Sequence, residues 1–239
     1  MAAFFLINNF SIVFIIALLN YLFSTMYTLS GTLEGHEQDV RAVSTIDNTN
    51  VLSALRDATV RLWKKSNSWT ATPSLIAHTA ESTAFVNALV YIPDRQIAAS
   101  GGQEGIVYLS EVGPAASFDG EPEGALIGHT KNVCSLSYGN GTLVSSSWDS
   151  TAIVWDLDTR EAKYHLKGHQ ASVWDALALS KTDFLTASAA GTISRWQGNA
   201  TVKTYQGHRD VVRKLAVLQD GKSFASCSND GSIIVWDLE

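Results

Sequence analysis

Short stretches in which apolar residues alternate with small polar residues run along most of the chain. The clearest one begins at Val133, passes through the turn Gly139-Asn140-Gly141 and ends at Trp155, which predicts three strands joined by tight turns. Asp220-Gly221 and Asp230-Gly231 are further turn dipeptides of the hairpin kind. The pattern therefore predicts an all-β protein with many short strands.

These stretches belong to a unit that recurs five times. Each unit opens with Gly-His (Ala-His in the second), and successive histidines are 39 to 51 residues apart. A tryptophan closes four of the five units, 26 to 28 residues after the histidine, and is twice followed by aspartate. Such a period is typical of the four-stranded blades of a β-propeller. The predicted units are about 31–63, 74–110, 124–156, 164–196 and 203–237, within a domain of residues 26–239.

Polar side chains recur at fixed places in the units and predict a hydrogen-bonded network in each blade. The tryptophan indole would donate to a hydroxyl, the hydroxyl to an imidazole, and the imidazole to a carboxylate, so that each buried polar group has a partner. The fourth unit has Ala190 in place of the aspartate, and the divergent second unit has His78, Ser100, Glu104 and Ser110. The predicted network residues are His36, Ser53, Asp57 and Trp63; His129, Ser145, Asp149 and Trp155; His169, Thr186 and Trp196; and His208, Ser226, Asp230 and Trp236.

Composition and motifs argue against several function classes. The net charge is −6 with no basic stripe, which argues against nucleic-acid binding. The two cysteines, Cys134 and Cys227, are too few for a disulfide scaffold and lack the CxxC spacing of a metal site. Ser, His and Asp together suggest a hydrolase triad, but three complete copies at a fixed period favour a structural role. We therefore expect no enzymatic activity, cofactor, metal or small-molecule substrate.

The first 25 residues differ from the rest. Between Phe4 and Phe23 only four residues are polar, and this length suffices to span a bilayer as a helix. No Lys or Arg precedes Arg41, so charge predicts no membrane orientation, and no clear signal-peptide cleavage pattern follows. Three interpretations stay open: a gene-model extension upstream of a true start at Met26, a membrane anchor, or a cleaved signal.

One position in each unit is a candidate for contact with a partner. It follows the first valine of the predicted inner strand, close to the face where the loops after Gly-His gather around the propeller channel. We predict a protein-binding face there, because Trp supplies contact area and Arg supplies charge-assisted hydrogen bonds. The alternative is that its charged residues form ordinary ion pairs, Asp39 with Arg41 and Asp210 with Arg213, each worth about 0–1 kcal/mol. The predicted face consists of Asp39, Arg41, Trp174, Asp210 and Arg213, with Trp148 as a weaker candidate.

Several longer phrases are more specific than Gly-His and Trp-Asp. They include Val133-Cys-Ser-Leu-Ser137, Ser147-Trp-Asp149, Ser172-Val-Trp-Asp-Ala176 and Leu33-Glu-Gly-His-Glu-Gln-Asp-Val-Arg41. In these phrases the chain resembles the phospholipase A2-activating protein family of WD-repeat propellers, also known as ubiquitin-fusion-degradation adaptors. The resemblance runs from about Tyr27 to the last residue.

This resemblance implies a seven-bladed propeller that binds ubiquitin, with Asp39 and Arg41 on the binding face. It also implies two further domains, the last of which docks on a hexameric AAA unfoldase (valosin-containing protein). The sequence stops at Glu239 after five repeats. We therefore expect about two blades and both further domains to be absent, and no direct contact with the unfoldase. An open arc of blades would expose apolar faces and sheet edges.

The resulting hypothesis is a non-enzymatic, ubiquitin-binding adaptor in ubiquitin-dependent protein degradation and ubiquitin homeostasis, located in the cytoplasm and nucleus. One alternative is a generic WD-repeat scaffold that binds another protein. Another is a propeller that is secreted or anchored in a membrane through residues 4–23. In a secretory location Asn140-Gly-Thr142 and Asn199-Ala-Thr201 would be glycosylation acceptors.

Overall fold

The computed structural model describes residues 31–36, 38–65, 69–71, 85–112 and 122–239. By its contacts the chain divides into Met1–Glu34 and Gly35–Glu239. Residues 31–34 of the first unit have no regular secondary structure, and the second unit contains every strand named below. The apolar segment 4–23 and His78 lie outside the described residues. Within the described ranges, no helix is long and apolar enough to span a bilayer.

The described residues form five antiparallel sheets, and each sheet is one blade. Blade one contains β1 (Val40–Thr45), β2 (Asn50–Leu55), β3 (Val60–Lys65) and β4 (Trp69–Ala71). Blade two contains β5 (Val86–Ile92), β6 (Ile97–Gly102), β7 (Ile106–Glu111) and β8 (Gly124–Ile127). Blade three contains β9 (Val133–Gly139), β10 (Thr142–Ser147), β11 (Thr151–Asp156) and β12 (Glu161–Lys167). Blade four contains β13 (Val173–Ala178), β14 (Asp183–Ser188), β15 (Thr192–Gln197) and β16 (Ala200–Gln206). Blade five contains β17 (Val212–Val217), β18 (Ser223–Ser228) and β19 (Ile233–Asp237).

Within each sheet the strands pair in chain order, and each of these pairs is antiparallel. In blade three the connection from β9 to β10 is the Asn140-Gly141 turn. Its two residues have φ of 53° and 72°, the positive values that a type I′ turn requires. The sheets are out of phase with the sequence units, because β12 precedes Gly168-His169 yet pairs with β11 of blade three. This architecture confirms the prediction of an all-β chain with five blades.

The core lies between neighbouring blades. Each of its four apolar clusters combines side chains from two consecutive sheets. Between blades three and four, for example, Val144 and Val154 pack with Val173 and Phe184, and all four are fully buried. Alternation of apolar and small polar residues suits this arrangement, because successive side chains of a strand point to opposite faces of the sheet. The four junctions keep the inner strands β1, β5, β9, β13 and β17 side by side.

Candidate functional site: blade networks and an interaction rim

In blade three the predicted network residues form one continuous hydrogen-bonded chain. Trp155 Nε1 donates to Ser145 Oγ at 2.8 Å, and that hydroxyl donates to His129 Nε2 at 2.8 Å. His129 Nδ1 donates in turn to Asp149 Oδ2 at 2.9 Å. The imidazole is fully buried, so the serine and histidine face the interior of the sheet. Blade five contains the same series of hydrogen bonds, with donor–acceptor distances of 2.7 to 2.9 Å. Its members are Trp236, Ser226, His208 and Asp230.

The carboxylate of Asp149 also holds the loops on either side of it. It accepts hydrogen bonds from the backbone N–H of Thr130 at 3.0 Å and from the N–H and hydroxyl of Thr151 at 2.9 and 2.6 Å. Burial by itself raises the pKa of Asp149, but the hydrogen bonds from His129 and Thr151 outweigh it and hold that pKa well below its usual range. The ionised carboxylate therefore fastens the turn before β11 to the Gly-His loop.

Blade one has only part of this series of hydrogen bonds. Trp63 Nε1 donates to Ser53 Oγ at 2.7 Å, and the hydroxyl lies 2.5 Å from His36 Nε2. The expected link from His36 to Asp57 is absent, since His36 Nδ1 is buried without a hydrogen-bond partner among the described residues. Asp57 accepts from the N–H and hydroxyl of Thr59, two residues along the same turn, as Asp149 does from Thr151.

A neighbouring arginine accounts for part of this difference. Arg61 donates to the carbonyl of Gly35, which directly precedes His36. Burial, together with the positive charge of Arg61, lowers the pKa of His36 to about 4, against the opposing effect of Asp57. The histidine of blade one is therefore neutral at pH 7, and its carboxylate contributes to the turn rather than to the histidine.

Blade four retains the inner part of the network without a carboxylate. Trp196 Nε1 donates to Thr186 Oγ1 at 2.7 Å, and Thr186 Oγ1 lies 2.6 Å from His169 Nε2. Burial lowers the pKa of His169 to about 4. In blade two the tryptophan position is Ser110, whose buried hydroxyl has no hydrogen-bond partner among the described residues. Glu104, at the aspartate position, accepts from the hydroxyl of Tyr108 at 3.0 Å.

Every inner strand carries a β-bulge at the same place. In β1 the register with β2 shifts between Val40 and Ala42, so that Arg41 faces no paired residue on β2. A bulge bends its strand and re-aims the extra side chain, and bulges often lie next to functional sites. Sequence reasoning selected this position from the repeat alone, whereas the bulge that distinguishes it is visible only in the paired sheet. The bulged residues are Arg41, Asn87, Cys134, Trp174 and Arg213.

Blades three, four and five together form an aromatic cluster, consisting of Trp148, Trp174 and Arg213. The two indole rings are 5.9 Å apart between centroids and inclined by 57°. The guanidinium of Arg213 lies 4.1 Å from the centre of the Trp174 ring, and its Nε donates to Asn229 Oδ1 at 2.9 Å. Trp148 remains 39% exposed. The structure thus brings the weaker sequence candidate, Trp148, into contact with Trp174.

Two residues of the predicted protein-binding face, which we call the rim, lie in blade one. They are Asp39 and Arg41, which carry opposite charges. The carboxylate of Asp39 is 3.8 Å from Arg41 and 3.7 Å from Arg56, and all three side chains are exposed. Ion pairs of this length between solvent-exposed side chains contribute little to stability. Arg56 also lies over the ring of Phe85, 5.5 Å from its centre. Blade one therefore presents a loose charged group, separate from the aromatic cluster.

Asp210 has a different role from the one that its spacing suggests. Its Oδ1 accepts the N–H of Val211 at 2.6 Å, and its carbonyl accepts the hydroxyl of Ser228 at 3.0 Å. Arg213 pairs with Asn229 and the Trp174 ring instead. The alternative of an ion pair between Asp210 and Arg213 is thus not realised in the described part of the chain, and Arg213 is positioned by an aromatic face.

The buried carboxylate of Asp175 supports the strands that carry the aromatic cluster. Sequence reasoning did not single it out as a site. Asp175 is fully buried beside Trp174 and accepts the hydroxyl of Ser135 at 2.6 Å, from blade three. From blade five it accepts Lys214 Nζ at 2.7 Å and the N–H of Leu215 at 2.9 Å. One carboxylate thus joins the inner strands of the three blades that present the aromatic cluster.

The comparisons with known proteins agree with this architecture. The family model for the WD domain, G-beta repeat, matches residues 27–64, 120–156 and 199–237. The three matches include the network residues of blades one, three and five, whose units have the full set of network residue types. A crystal structure of the WD40 β-propeller domain of Doa1 superposes with a TM-score of 0.81 and 42% sequence identity, covering 90% of this chain and 70% of that one.

Curated relatives agree with the structural match. Protein DOA1 of Saccharomyces cerevisiae is 44% identical over 215 residues, covering 89% of this chain and 29% of the relative. Ubiquitin homeostasis protein lub1 of Schizosaccharomyces pombe is 44% identical over 220 residues, with the same two shares. The ubiquitin fusion degradation protein 3 homolog of Caenorhabditis elegans is 34% identical over 227 residues, covering 89% of this chain and 25% of the relative. The chain thus spans less than a third of the length of these relatives.

The chain is a WD40-repeat propeller protein. Three observations define this class: the five antiparallel sheets, the histidine–hydroxyl–indole networks and the matched repeats. Identity of 42% with the Doa1 propeller, over 70% of that chain, specifies the branch. The chain belongs to the Doa1 and phospholipase A2-activating protein family of WD40-repeat proteins. This confirms the resemblance that the longer sequence phrases indicate.

Proposed function

We propose that this chain is a non-enzymatic WD40 adaptor that binds ubiquitin, in ubiquitin-dependent protein degradation and ubiquitin homeostasis. The observation that carries the proposal is 44% identity over 220 residues with a protein named for ubiquitin homeostasis. A relative named for ubiquitin fusion degradation, 34% identical, supports the same pathway. The proposal includes a location in the cytoplasm and nucleus, where this pathway operates.

The rim supplies chemistry that suits a protein partner. Trp and Arg are the residues most often responsible for binding energy at protein interfaces, where a central aromatic contact is shielded from water by its surroundings. The aromatic cluster offers Trp148 as an exposed ring and Trp174 as a ring already held by Arg213. Since Asp175 fixes the strands beneath it, little conformational freedom is lost on binding.

The proposal assigns no catalytic step to the Ser, His and Asp sets. The imidazoles of His129 and His208 are fully buried, and each is bonded to a hydroxyl on one side and a carboxylate on the other. That hydroxyl also accepts an indole N–H from the same blade. A nucleophilic serine needs access to its substrate, and this position inside the sheet favours a structural role.

Titration of isotope-labelled ubiquitin with the chain, followed by NMR, tests the proposal. We expect saturable chemical-shift changes with a Kd of roughly micromolar order, as small transient interfaces give. Arg41→Ala and Trp174→Ala should each weaken binding about tenfold, which corresponds to about 1.4 kcal/mol. Arg160→Ala is the matched control, because Arg160 is also an exposed arginine paired with a carboxylate, that of Glu123, but lies on the turn between β11 and the outer strand β12.

Two results would count against ubiquitin binding. One is the lack of any shift with a sample that unfolds cooperatively, and the other is binding that Arg160→Ala weakens as much as Arg41→Ala does. If affinity capture from a cell extract instead yields one protein that is free of ubiquitin conjugates, the generic scaffold function replaces the ubiquitin-binding one.

A further inference from the structure

Arg213 of the aromatic cluster is held at two places, whereas its terminal nitrogens are not. Its guanidinium carbon lies 4.1 Å from the centre of the Trp174 ring, and its Nε donates to Asn229 Oδ1 at 2.9 Å. Asn229 is itself fixed, because its N–H donates to the carbonyl of Val211 at 3.0 Å. Within the described ranges no acceptor binds Nη1 or Nη2 of Arg213. The end of this side chain is therefore oriented, and its terminal donors are available.

The other arginines differ from Arg213 in this respect. In most of them a terminal nitrogen already lies near a carboxylate or a carbonyl oxygen of the chain. These are Arg41, Arg56, Arg61, Arg95, Arg160 and Arg195. Arg209 is exposed, and no described group contacts its guanidinium, so nothing orients it. In the described part of the chain, only Arg213 combines a fixed guanidinium with available terminal donors.

A guanidinium held in this way suits one kind of partner group. Its two terminal nitrogens form a planar fork, which donates two parallel hydrogen bonds to a carboxylate or a phosphate and which a lysine ammonium cannot reproduce. Stacking on Trp174 and the bond at Nε fix the plane of this fork before a partner arrives. Little side-chain freedom is then lost on binding. The fork of Arg213 is therefore prepared for an oxyanion.

The charge around Arg213 favours a carboxylate over a phosphate. Asp149 directly follows Trp148, and Asp230 directly follows Asn229. Both carboxylates accept several N–H and O–H hydrogen bonds, which favour their ionised form. They repel the double charge of a phosphate group more strongly than the single charge of a carboxylate. Phosphate recognition also typically uses a cluster of arginines, whereas one fork matches one carboxylate.

An exposed aromatic ring lies beside this arginine. Trp148 is 39% exposed, and its ring centre is 5.9 Å from that of Trp174. Its backbone is held on both sides, because its N–H donates to the carbonyl of Asn132 at 3.0 Å and its carbonyl accepts the hydroxyl of Ser172 at 3.3 Å. Only the Trp174 ring separates Trp148 from the guanidinium. Neighbouring side chains of one segment can therefore contact both.

We propose that the aromatic cluster binds a protein segment in which an acidic side chain lies next to an apolar one. The carboxylate accepts two hydrogen bonds from Arg213 Nη1 and Nη2, and the apolar side chain packs on Trp148. Arg213 then selects the charge of the segment, and Trp148 supplies contact area. The inference rests on the proposed function for the identity of the partner, ubiquitin, and adds the chemical group by which that partner is recognised.

Ubiquitin titrations with paired variants test the carboxylate contact. Arg213→Lys keeps the positive charge but removes the fork, and should weaken binding about tenfold. Arg209→Ala is the matched control, because it removes an exposed, unoriented arginine of the same blade, and should change the affinity less than about twofold. The carboxylates of ubiquitin are then replaced one at a time by amides. One replacement should weaken binding to the original chain and have no further effect with Arg213→Lys.

A peptide separates this test from the test of ubiquitin binding. The probe has blocked ends and the sequence Gly-Leu-Glu-Leu-Gly, and the indole N–H signals of the chain are followed by NMR. At millimolar concentration the peptide should shift the signals of Trp148 and Trp174, whereas its glutamine version should not. The phosphoserine version should bind no more tightly than the glutamate one. If the peptide binds and ubiquitin does not, the proposed function fails and the carboxylate site stands.

The proposal is overturned if neither ubiquitin nor the peptide shows binding that depends both on Arg213 and on a carboxylate. Tighter binding of the phosphoserine peptide would also overturn it, as would a loss of affinity with Arg209→Ala as large as with Arg213→Lys. The free chain reports separately on folding. Because Arg213 is only half-buried, Arg213→Lys should leave the Tm within about 2 °C, so that lost binding is not lost structure.

Discussion

Blades three and four have the same four-stranded sheet and a hydroxyl at the same place in their networks, but only the network of blade three includes a carboxylate. In blade three Asp149 accepts from His129, Thr130 and Thr151. In blade four Ala190 stands in its place, and the hydroxyl of Ser188 accepts the N–H of Ala190 at 3.0 Å, as that of Ser147 accepts the N–H of Asp149. The inner histidine–hydroxyl–indole contacts are nevertheless as short in blade four as in blade three. A blade therefore forms without the carboxylate.

The difference between the two blades lies in the charge that each can hold. In blade three the carboxylate has a depressed pKa, with His129 and Thr151 as donors that favour its ionised form. In blade four none of the described carboxylates is hydrogen-bonded to His169, and burial lowers the pKa of that imidazole to about 4. The comparison teaches that the aspartate adds an electrostatic fastening to a sheet that packing has already built. It therefore predicts effects on stability rather than on fold.

The largest effect is expected where the carboxylate is most engaged. Asp149→Ala leaves His129 Nδ1 and the N–H groups of Thr130 and Thr151 without their acceptor, so it should lower the free energy of unfolding by about 3 kcal/mol. Asp57→Ala in blade one is the matched control and should cost only about 1 kcal/mol, because among the described residues the carboxylate of Asp57 accepts from Thr59 and not from its histidine. Urea unfolding measures both. Equal losses would mean that the bond to histidine contributes nothing.

Sequence reasoning predicted the parts of the fold that are local and repeated. Turn dipeptides such as Asn140-Gly141 carry their own backbone preference, and the recurring histidine, hydroxyl and tryptophan mark one blade after another. It could not predict that His36 Nδ1 would lack a bond to Asp57 among the described residues. Arg61, which donates to the carbonyl of Gly35, stands where blades three and five have isoleucine. Repeats alone do not specify such local competition.

Contacts between blades were equally hidden from the sequence. Trp148, Trp174 and Arg213 come from three separate units, and only the stacking of the sheets places them together. The same holds for Asp175, which meets residues 40 positions away on either side of it. The position of the rim could therefore be read from the repeat, whereas the pairing of its residues required the structure.

A second prediction uses pH to separate the two blades. The folded chain holds His169 neutral with a pKa near 4, while the unfolded chain takes up a proton near pH 6.5. Stability from this group is therefore complete above pH 6.5 and falls as the pH drops towards 4, by about 2 kcal/mol at pH 5. The low pKa of His36 acts in the same direction.

The control for this pH effect is His169→Gln, which cannot titrate. Its free energy of unfolding, measured by urea between pH 7 and pH 5, should fall by about 2 kcal/mol less than that of the original chain. The histidine of blade one titrates in both samples, so it cancels in the difference. Parallel pH profiles for the two proteins would show that His169 is not the group responsible.

The smallest effect comes from restoring the missing carboxylate. Ala190→Asp gives blade four the residue that blade three has at Asp149, with Thr192 in the place of Thr151 and His169 in the place of His129. We expect a gain of about 1 kcal/mol in the free energy of unfolding at pH 7. The new negative charge should also raise the pKa of His169, because an adjacent carboxylate favours the protonated ring. The loss of stability between pH 6.5 and pH 5 should then shrink.

Ala190→Asn, which has nearly the same shape without the charge, should give the smaller part of the gain and leave the pH profile unchanged. If the two variants behave alike, hydrogen bonding alone accounts for the difference between the blades, and charge does not.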